Sequence, residues 1–362
     1  MTPIRAFRWL VVVGTVLLVA CAQVPARPGA ASPRAAALSR ATQAVAAPAP
    51  RVQSCAAASA QASTDPRTAR WVAQAMQEHA AFGGQQLDAD GRMTKAGIQE
   101  AETDALADGS GPAWRRVLAY WQALDPGKPR DLRGTAGGIQ RLAPLLAALD
   151  GAGKGDGADP GLSSLDDGQR LAIRTALQRA ALVDNPWSAA FVSYLARSAD
   201  MADEEFAYSD AHHVYVAQAF DASRDERAGT PSDAAFRACA IARTTPRPGD
   251  MVCQTRGSGA ELDRFAAVET ALAERGAGGA FPMHCDLVVD VDLPGGYADT
   301  IGGNVLQSVT RRRMALEAGP PATIARRYFH ADAPAGCVED PGACGAPFMS
   351  FQPWTVLLQV RR

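Results

Sequence analysis

Ser188 opens a predicted helix, and His284 and Asp286 sit two residues apart on a predicted strand. These three have the side chains for nucleophilic chemistry. Ser188 lies in Pro186-Trp187-Ser188-Ala189-Ala190-Phe191-Val192-Ser193. Asn185 is a good N-cap, and Pro186 suits the first helical position because its missing N–H has no partner there. Ser188 is then expected as the third helical residue. Spacings of three, four and seven put it on one face with Phe191, Val192 and Leu195, so the hydroxyl turns inward. The partial positive charge of a helix N-terminus favours a nucleophile or an oxyanion at that place. A serine hydroxyl is far too weak an acid to ionise beside an imidazole as a thiol does, so it needs a general base during attack. Asp286 shares a strand face with His284 and offers it a negative charge, whereas Cys285 between them points to the other face, where a disulfide or a buried thiol is expected.

His212 and His213 are adjacent on another helix and diverge by about 100° around it, so only one of them can point toward such a site. With His284 and Asp286 they offer metal ligands, but a pocket-lining or core-edge place is the commoner outcome, and no metal or other cofactor is expected. Trp187 and Tyr215 are candidates for the wall of a groove, with core packing as the alternative. Asp88-Ala89-Asp90-Gly91-Arg92 lacks the spacing of a calcium loop and reads as a turn.

The elements that must position these residues follow from periodicity. Arg67 to Phe82 reads as a helix with Trp71, Ala75, Met76 and His79 on one face, and Gly111 to Leu124 as a second with Trp114, Val117, Leu118 and Trp121. Residues 127–168 are rich in Gly and Asp and read as a mobile insertion. The chain becomes helical again from Asp167 through Val183, and another helix is expected from Ser209 to Phe220. After Pro248-Gly249-Asp250 the apolar runs are short. Met251–Gln254, Met283–Val291, Thr300–Val309 and Thr355–Val360 read as strands. Helices first and a small antiparallel sheet afterwards is an α+β pattern.

This order of features resembles papain-like cell-wall hydrolases of the CHAP and NlpC type. In that group Trp-Cys-Ala-x-Phe-Val opens the catalytic helix, and the histidine starts a strand after a Pro-Gly-Asp turn. The resemblance covers residues 185 to 309 and implies a papain-like fold with an N-terminal helical extension. It also implies Ser188 at the nucleophile position in place of cysteine, His284 as base and Asn304, on the following strand, as the residue that orients it. The wider pattern takes in Phe82-Gly83-Gly84-Gln85, Arg116-Val117, Tyr120-Trp121, Ala211-His212-His213-Val214-Tyr215, Gly249-Asp250-Met251-Val252-Cys253 and Ile301-Gly302-Gly303-Asn304. It resembles the bacterial domain-of-unknown-function 2272 family, which implies that serine at this place belongs to the group.

Arg5 and Arg8 followed by an apolar run from Leu10 to Ala20 read as a signal peptide, too short to span a bilayer of about 30 Å. Leu18-Val19-Ala20-Cys21 resembles a lipoprotein processing site, with Cys21 as the lipid-bearing residue and Ala22 resembling the outer-membrane sorting pattern. The expected organisation is a signal peptide at 1–20, a flexible Ala/Pro-rich tether at 21–62, a helical part at 63–126, the insertion at 127–168 and an α+β core at 169–362. The expected location is the bacterial cell envelope, facing the periplasm. A formal net charge of −2, from 36 basic and 38 acidic residues, argues against nucleic acid as a partner. Of the seven cysteines, six remain beyond Cys21, an even number that permits disulfides in an exported chain. Cys337 and Cys344, which bracket a turn-rich loop, are the expected pair. Three functions stay open at this point: an envelope amidase or esterase working through Ser188, a degenerate groove that binds peptidoglycan or an envelope protein, and a purely structural lipoprotein.

Overall fold

The computed structural model describes residues 65–102, 105–124, 165–257, 262–275, 281–329 and 352–361, with isolated positions 55, 63, 145, 147–149, 162, 164 and 350. Cys21, most of the tether, most of the insertion, Cys337 and Cys344 lie outside these residues. Helix α1 spans Pro66–Ala81, and the Asp65 carboxylate caps it by accepting from the Arg67 N–H. It buries Trp71, Ala75, Glu78 and His79, whereas Met76, expected on that face, is exposed. The chain then turns through Gly83 and Gly84, both at positive φ, into strands β1 (Gln85–Leu87) and β2 (Met93–Lys95). Between them the Asp88 side chain accepts from the N–H groups of Asp90 and Arg92, which closes the turn.

Helix α2 (Ala113–Gln122) buries Trp114, Val117, Tyr120 and Trp121. Helix α3 spans Asp167–Val183, the range the sequence implied, and opens on a capping box between Asp166 and Gln169. Helix α4 spans Ser188–Ser198, with Trp187 at the N-cap. Asn185 is not the cap: its side-chain amide donates back to the Ala181 carbonyl at 2.5 Å, satisfying an orphan acceptor at the end of α3. Ser188 is therefore the first helical residue, not the third. Helix α5 spans His212–Ala228 and ends at Gly229 in the left-handed conformation. It starts later than Ser209 because the Ser193 hydroxyl donates to the Ser209 carbonyl and accepts from its N–H, at 2.9 and 3.2 Å, which pins that segment before the helix.

Strands β3 (Phe236–Ala240), β4 (Met251–Thr255), β5 (Met283–Asp292), β6 (Tyr297–Val305), β7 (Ser308–Glu317), β8 (Thr323–Ile324) and β9 (Trp354–Val360) follow, with helix α6 (Phe265–Arg275) between β4 and β5. The sheet is neither small nor wholly antiparallel. Its order is β2-β1-β7-β6-β5-β4-β9-β3, with β8 on β7, and β1 runs parallel to β7. The helical N-terminal part thus contributes two strands to the same sheet. The run Thr300–Val309 is also not one strand. Leu306 and Gln307, both at positive φ, form a two-residue turn between Val305 and Ser308, the backbone that a tight hairpin needs without the glycine that usually supplies it.

The helices cover one sheet face. Phe191, Val192, Leu195, Tyr215 and Phe220 from the helices share a core with Cys253, Cys285, Leu287 and Ile301 from the strands. The other face holds a separate cluster of Val252, Val288, Met314, Tyr328 and Trp354. Two disulfides fasten the described residues, Cys55–Cys239 and Cys253–Cys285. The second joins directly opposed residues of β4 and β5. Loop-closure entropy grows with the length enclosed, and these bonds enclose separations of 184 and 32. Replacing Cys55 and Cys239 by Ala should therefore cost more, about 5 kcal/mol against about 4 kcal/mol for the Cys253/Cys285 pair. Urea unfolding of the two double variants checks that order.

Candidate active site

Ser188, at the N-terminus of α4, is 2 % exposed, and its Oγ lies 2.7 Å from His212 Nε2 at the start of α5. On the far side of that ring His212 Nδ1 is hydrogen-bonded to the Tyr215 hydroxyl, one turn along the same helix. His212 is thus the member of the histidine pair that points inward. The expected partner of Ser188, His284, is instead next in line, with its ring centroid 5.1 Å from that of His212. His284 Nε2 is 2.7 Å from Asp286 Oδ1, the i, i+2 pairing that strand alternation implied. Asp286 Oδ2 accepts from Arg312 Nε at 3.1 Å and from the Thr300 hydroxyl at 3.3 Å. His284 Nδ1 is buried with no hydrogen-bond partner among the described residues.

The backbone makes room for this arrangement. Pairing of β5 with β6 begins at Leu287↔Ile301, and β6 bulges against β7 between Gly302 and Val305. A Cβ on Gly302 would lie 1.9 Å from Asp286 Oδ1 and 3.0 Å from His284 Nε2, and one on Gly303 would lie 2.6 Å from Phe191 Cβ on α4. The two glycines let β6 run against the carboxylate on one side and the serine-bearing helix on the other.

Asn304, expected to orient His284, does something else. With its amide assigned from the surrounding hydrogen bonds, it donates to Glu100 Oε2 and accepts from the Trp187 backbone N–H, each at 3.2 Å. It therefore caps the opening of α4. Glu100 also accepts from the Trp187 indole N–H, and its backbone N–H donates to Gln307 O in the β6–β7 turn. Glu100 carried no sequence signal: it lies between elements, and only the fold brings it beneath Trp187. Trp187 is fully buried against Phe82, Tyr120 and Phe191, so it is core, not groove wall. His213 faces away from Ser188 into a cavity of about 400 Å³ between α5 and α6, whose lining includes Phe220, Leu272 and Phe281.

Electrostatics separate the two histidines. Burial, then the charges of His284 and Arg256, push His212 well below the ordinary histidine value, so it is neutral at pH 7. Burial pushes the Tyr215 phenol well up, so it stays protonated. Burial alone would raise Asp286, but His284 and Arg312 outweigh it and hold the carboxyl below the usual range. Burial raises Glu100, opposed by the Trp187 hydrogen bond. Chemically, the arrangement holds a serine hydroxyl on a neutral imidazole, beside a second imidazole backed by an ionised carboxylate.

These features define an α+β protein in which a helix N-terminus holds a serine on one histidine, with a second histidine, on a strand of a mixed sheet, beside the first. The chain belongs to the bacterial family described as uncharacterized protein conserved in bacteria (DUF2272), whose model matches residues 108–360. That range contains Ser188, His212, Tyr215, His284, Asp286 and Asn304, and leaves Glu78 and Glu100 outside it. No curated protein and no solved structure matches the chain.

Two predictions follow from this geometry. Gly302→Ala forces the new methyl into the Asp286 carboxylate and should cost about 2–3 kcal/mol by overpacking, read as a lowered urea midpoint. For His212, the folded value lies below the unfolded one, so its contribution to stability is present above about pH 6.5 and is lost as pH falls below it. Wild type should lose stability relative to His212→Gln between pH 7 and pH 5, by up to about 1.4 kcal/mol per pH unit. Parallel unfolding curves for the two proteins would sink this assignment.

Proposed function

We propose that this chain is an exported, lipid-anchored acyl hydrolase of the cell envelope, cleaving an amide or ester with Ser188 as nucleophile. The observation that carries the reading is the 2.7 Å contact between Ser188 Oγ and His212 Nε2 at a helix N-terminus. A neutral His212 can take the hydroxyl proton during attack, with Nδ1–H donating to the Tyr215 oxygen. The base is thus His212, in contact with the serine, and His284, backed by Asp286, is placed to hand a proton to the leaving group. The first intrahelical bond of α4 runs from the Phe191 N–H to the Trp187 carbonyl, so the amides of Ser188, Ala189 and Ala190 precede the ladder and suit an oxyanion. The order of serine helix, Pro-Gly-Asp turn and histidine strand supports a papain-like ancestry of the CHAP and NlpC type, with serine in place of cysteine. Peptidoglycan stem peptides are the natural substrate for such a fold on a lipid tether. Two disulfides support an oxidising compartment, consistent with a signal peptide at 1–20 cut before Cys21.

A second reading has its own observation. Ser188, His212 and His284 are 2 %, 3 % and 3 % exposed, which favours a groove that lost its thiol and now binds peptidoglycan or an envelope protein. The two separate in one experiment on peptidoglycan fragments and ester reporters with wild type, Ser188→Ala, Ser188→Cys and His212→Gln. Turnover should fall by about 10³-fold or more in the Ser188→Ala and His212→Gln variants. Loss of turnover on acidification should begin only below the ordinary histidine range, since burial keeps the folded base neutral there. No turnover by wild type, with activity only in Ser188→Cys, would instead identify a disabled thiol enzyme.

A further inference from the structure

Arg256 is a charged group beside this site that finds no side-chain partner among the described residues. It follows β4, and its N–H donates to the Pro282 carbonyl at 3.0 Å, which continues the β4–β5 register in which Gln254 opposes His284. Two residues apart on an extended chain, Gln254 and Arg256 share a side, so the guanidinium is a diagonal neighbour of His284. Arg256 is half-buried, yet among the described residues it makes no side-chain hydrogen bond or ion pair. Four other buried or half-buried arginines of the fold sit on carboxylates: Arg116 on Glu78, Arg237 on Glu226, Arg247 on Asp250 and Arg312 on Asp286. Removing a guanidinium from water without a partner is unfavourable, and a bound anion offsets it. Two further atoms on this side are also unsatisfied. Gln254 Oε1, an acceptor, and His284 Nδ1 are both buried without hydrogen-bond partners among the described residues.

We infer that Arg256 is the recognition residue for a carboxylate on the ligand of the Ser188 site, with Gln254 Oε1 accepting an adjacent amide N–H. The ligand class is therefore an acyl peptide that ends in, or carries beside its reacting bond, a free carboxylate. The Arg256 charge adds to the lowering of His212 and opposes the burial-driven rise of Tyr215, which places it near the reacting groups; a bound carboxylate would neutralise that charge. This deepens the hydrolase reading by naming the substrate class, but the binding step does not depend on turnover.

The test is calorimetric binding of acetyl-alanyl-alanine and of its carboxamide to the full-length protein and to Arg256→Gln and Arg256→Lys. The acid should bind wild type about 10- to 100-fold more tightly than the amide, as expected for one charge-assisted bidentate pair. That preference should vanish in Arg256→Gln and return only in part in Arg256→Lys, which restores charge without the fork. Arg256→Gln should unfold at the same midpoint as wild type or a higher one, because no native ion pair is lost. Equal affinity for acid and amide, no measurable binding of either, or an undiminished acid preference in Arg256→Gln would each overturn the inference. An Arg256-dependent preference in a protein that hydrolyses nothing would sink the hydrolase reading and leave this one standing.

Discussion

The Glu78 carboxylate is wholly buried, and the position of the serine helix depends on how it is satisfied. It accepts from Arg116 Nε and Nη2, each at 2.8 Å, from the Tyr120 hydroxyl at 2.6 Å and from the Tyr194 hydroxyl at 3.2 Å. Those donors lie on α2 and α4, and Glu78 itself is on α1, so one side chain joins three helices. A buried carboxylate with most of its lone pairs used is tolerable, whereas one that loses a partner is costly. The helices are therefore held in a single mutual arrangement. Tyr194 is six residues beyond Ser188 on the same helix, so the network that fixes α4 also fixes the height at which the serine meets the sheet.

On the sheet side a second buried carboxylate plays the matching part. Asp286 binds His284, Arg312 and Thr300, and Arg312 in turn donates to Ser350 and lies over Trp354. The residues that hold Asp286 come from β6, β7 and the far core, while those that hold Ser188 come from the helices. The two sets meet only at the seam where β5 and β6 part. Gly302 and Gly303 keep that seam narrow, and Asn304 with Glu100 ties it to the cap of α4. The site is therefore a junction between two separately fixed layers.

The sequence made α3 legible to the residue because its capping box and its stop at Asp184-Asn185-Pro186 are local signals. It misplaced the start of α4 because Asn185-Pro186 has the chemistry of a helix start, yet the Asn185 amide is spent on the preceding helix. The hairpin at Leu306-Gln307 was invisible, since neither residue is a usual choice for positive φ. Ser188, His284 and Asp286 could be singled out by type and face. Which imidazole reaches the hydroxyl could not, because His212 and His284 lie 72 residues apart by their numbers and only packing decides between them. Glu100 was beyond reach altogether: its meaning comes from Trp187 and Asn304, which are distant in the chain. The parallel pairing of β1 with β7 was hidden for the same reason.

The Cys253–Cys285 bond joins β4 to β5 immediately beside His284. A slip of one residue between these strands would put Cys285 opposite a neighbour of Cys253 and turn His284 away from His212. The two sulfurs can meet only when the strands are in the native alignment, so the crosslink, once closed, excludes every other one. An oxidising compartment would thus do more than strengthen this protein. It would proofread the alignment on which the His284–Asp286 pair depends, and make that choice permanent for the life of the chain.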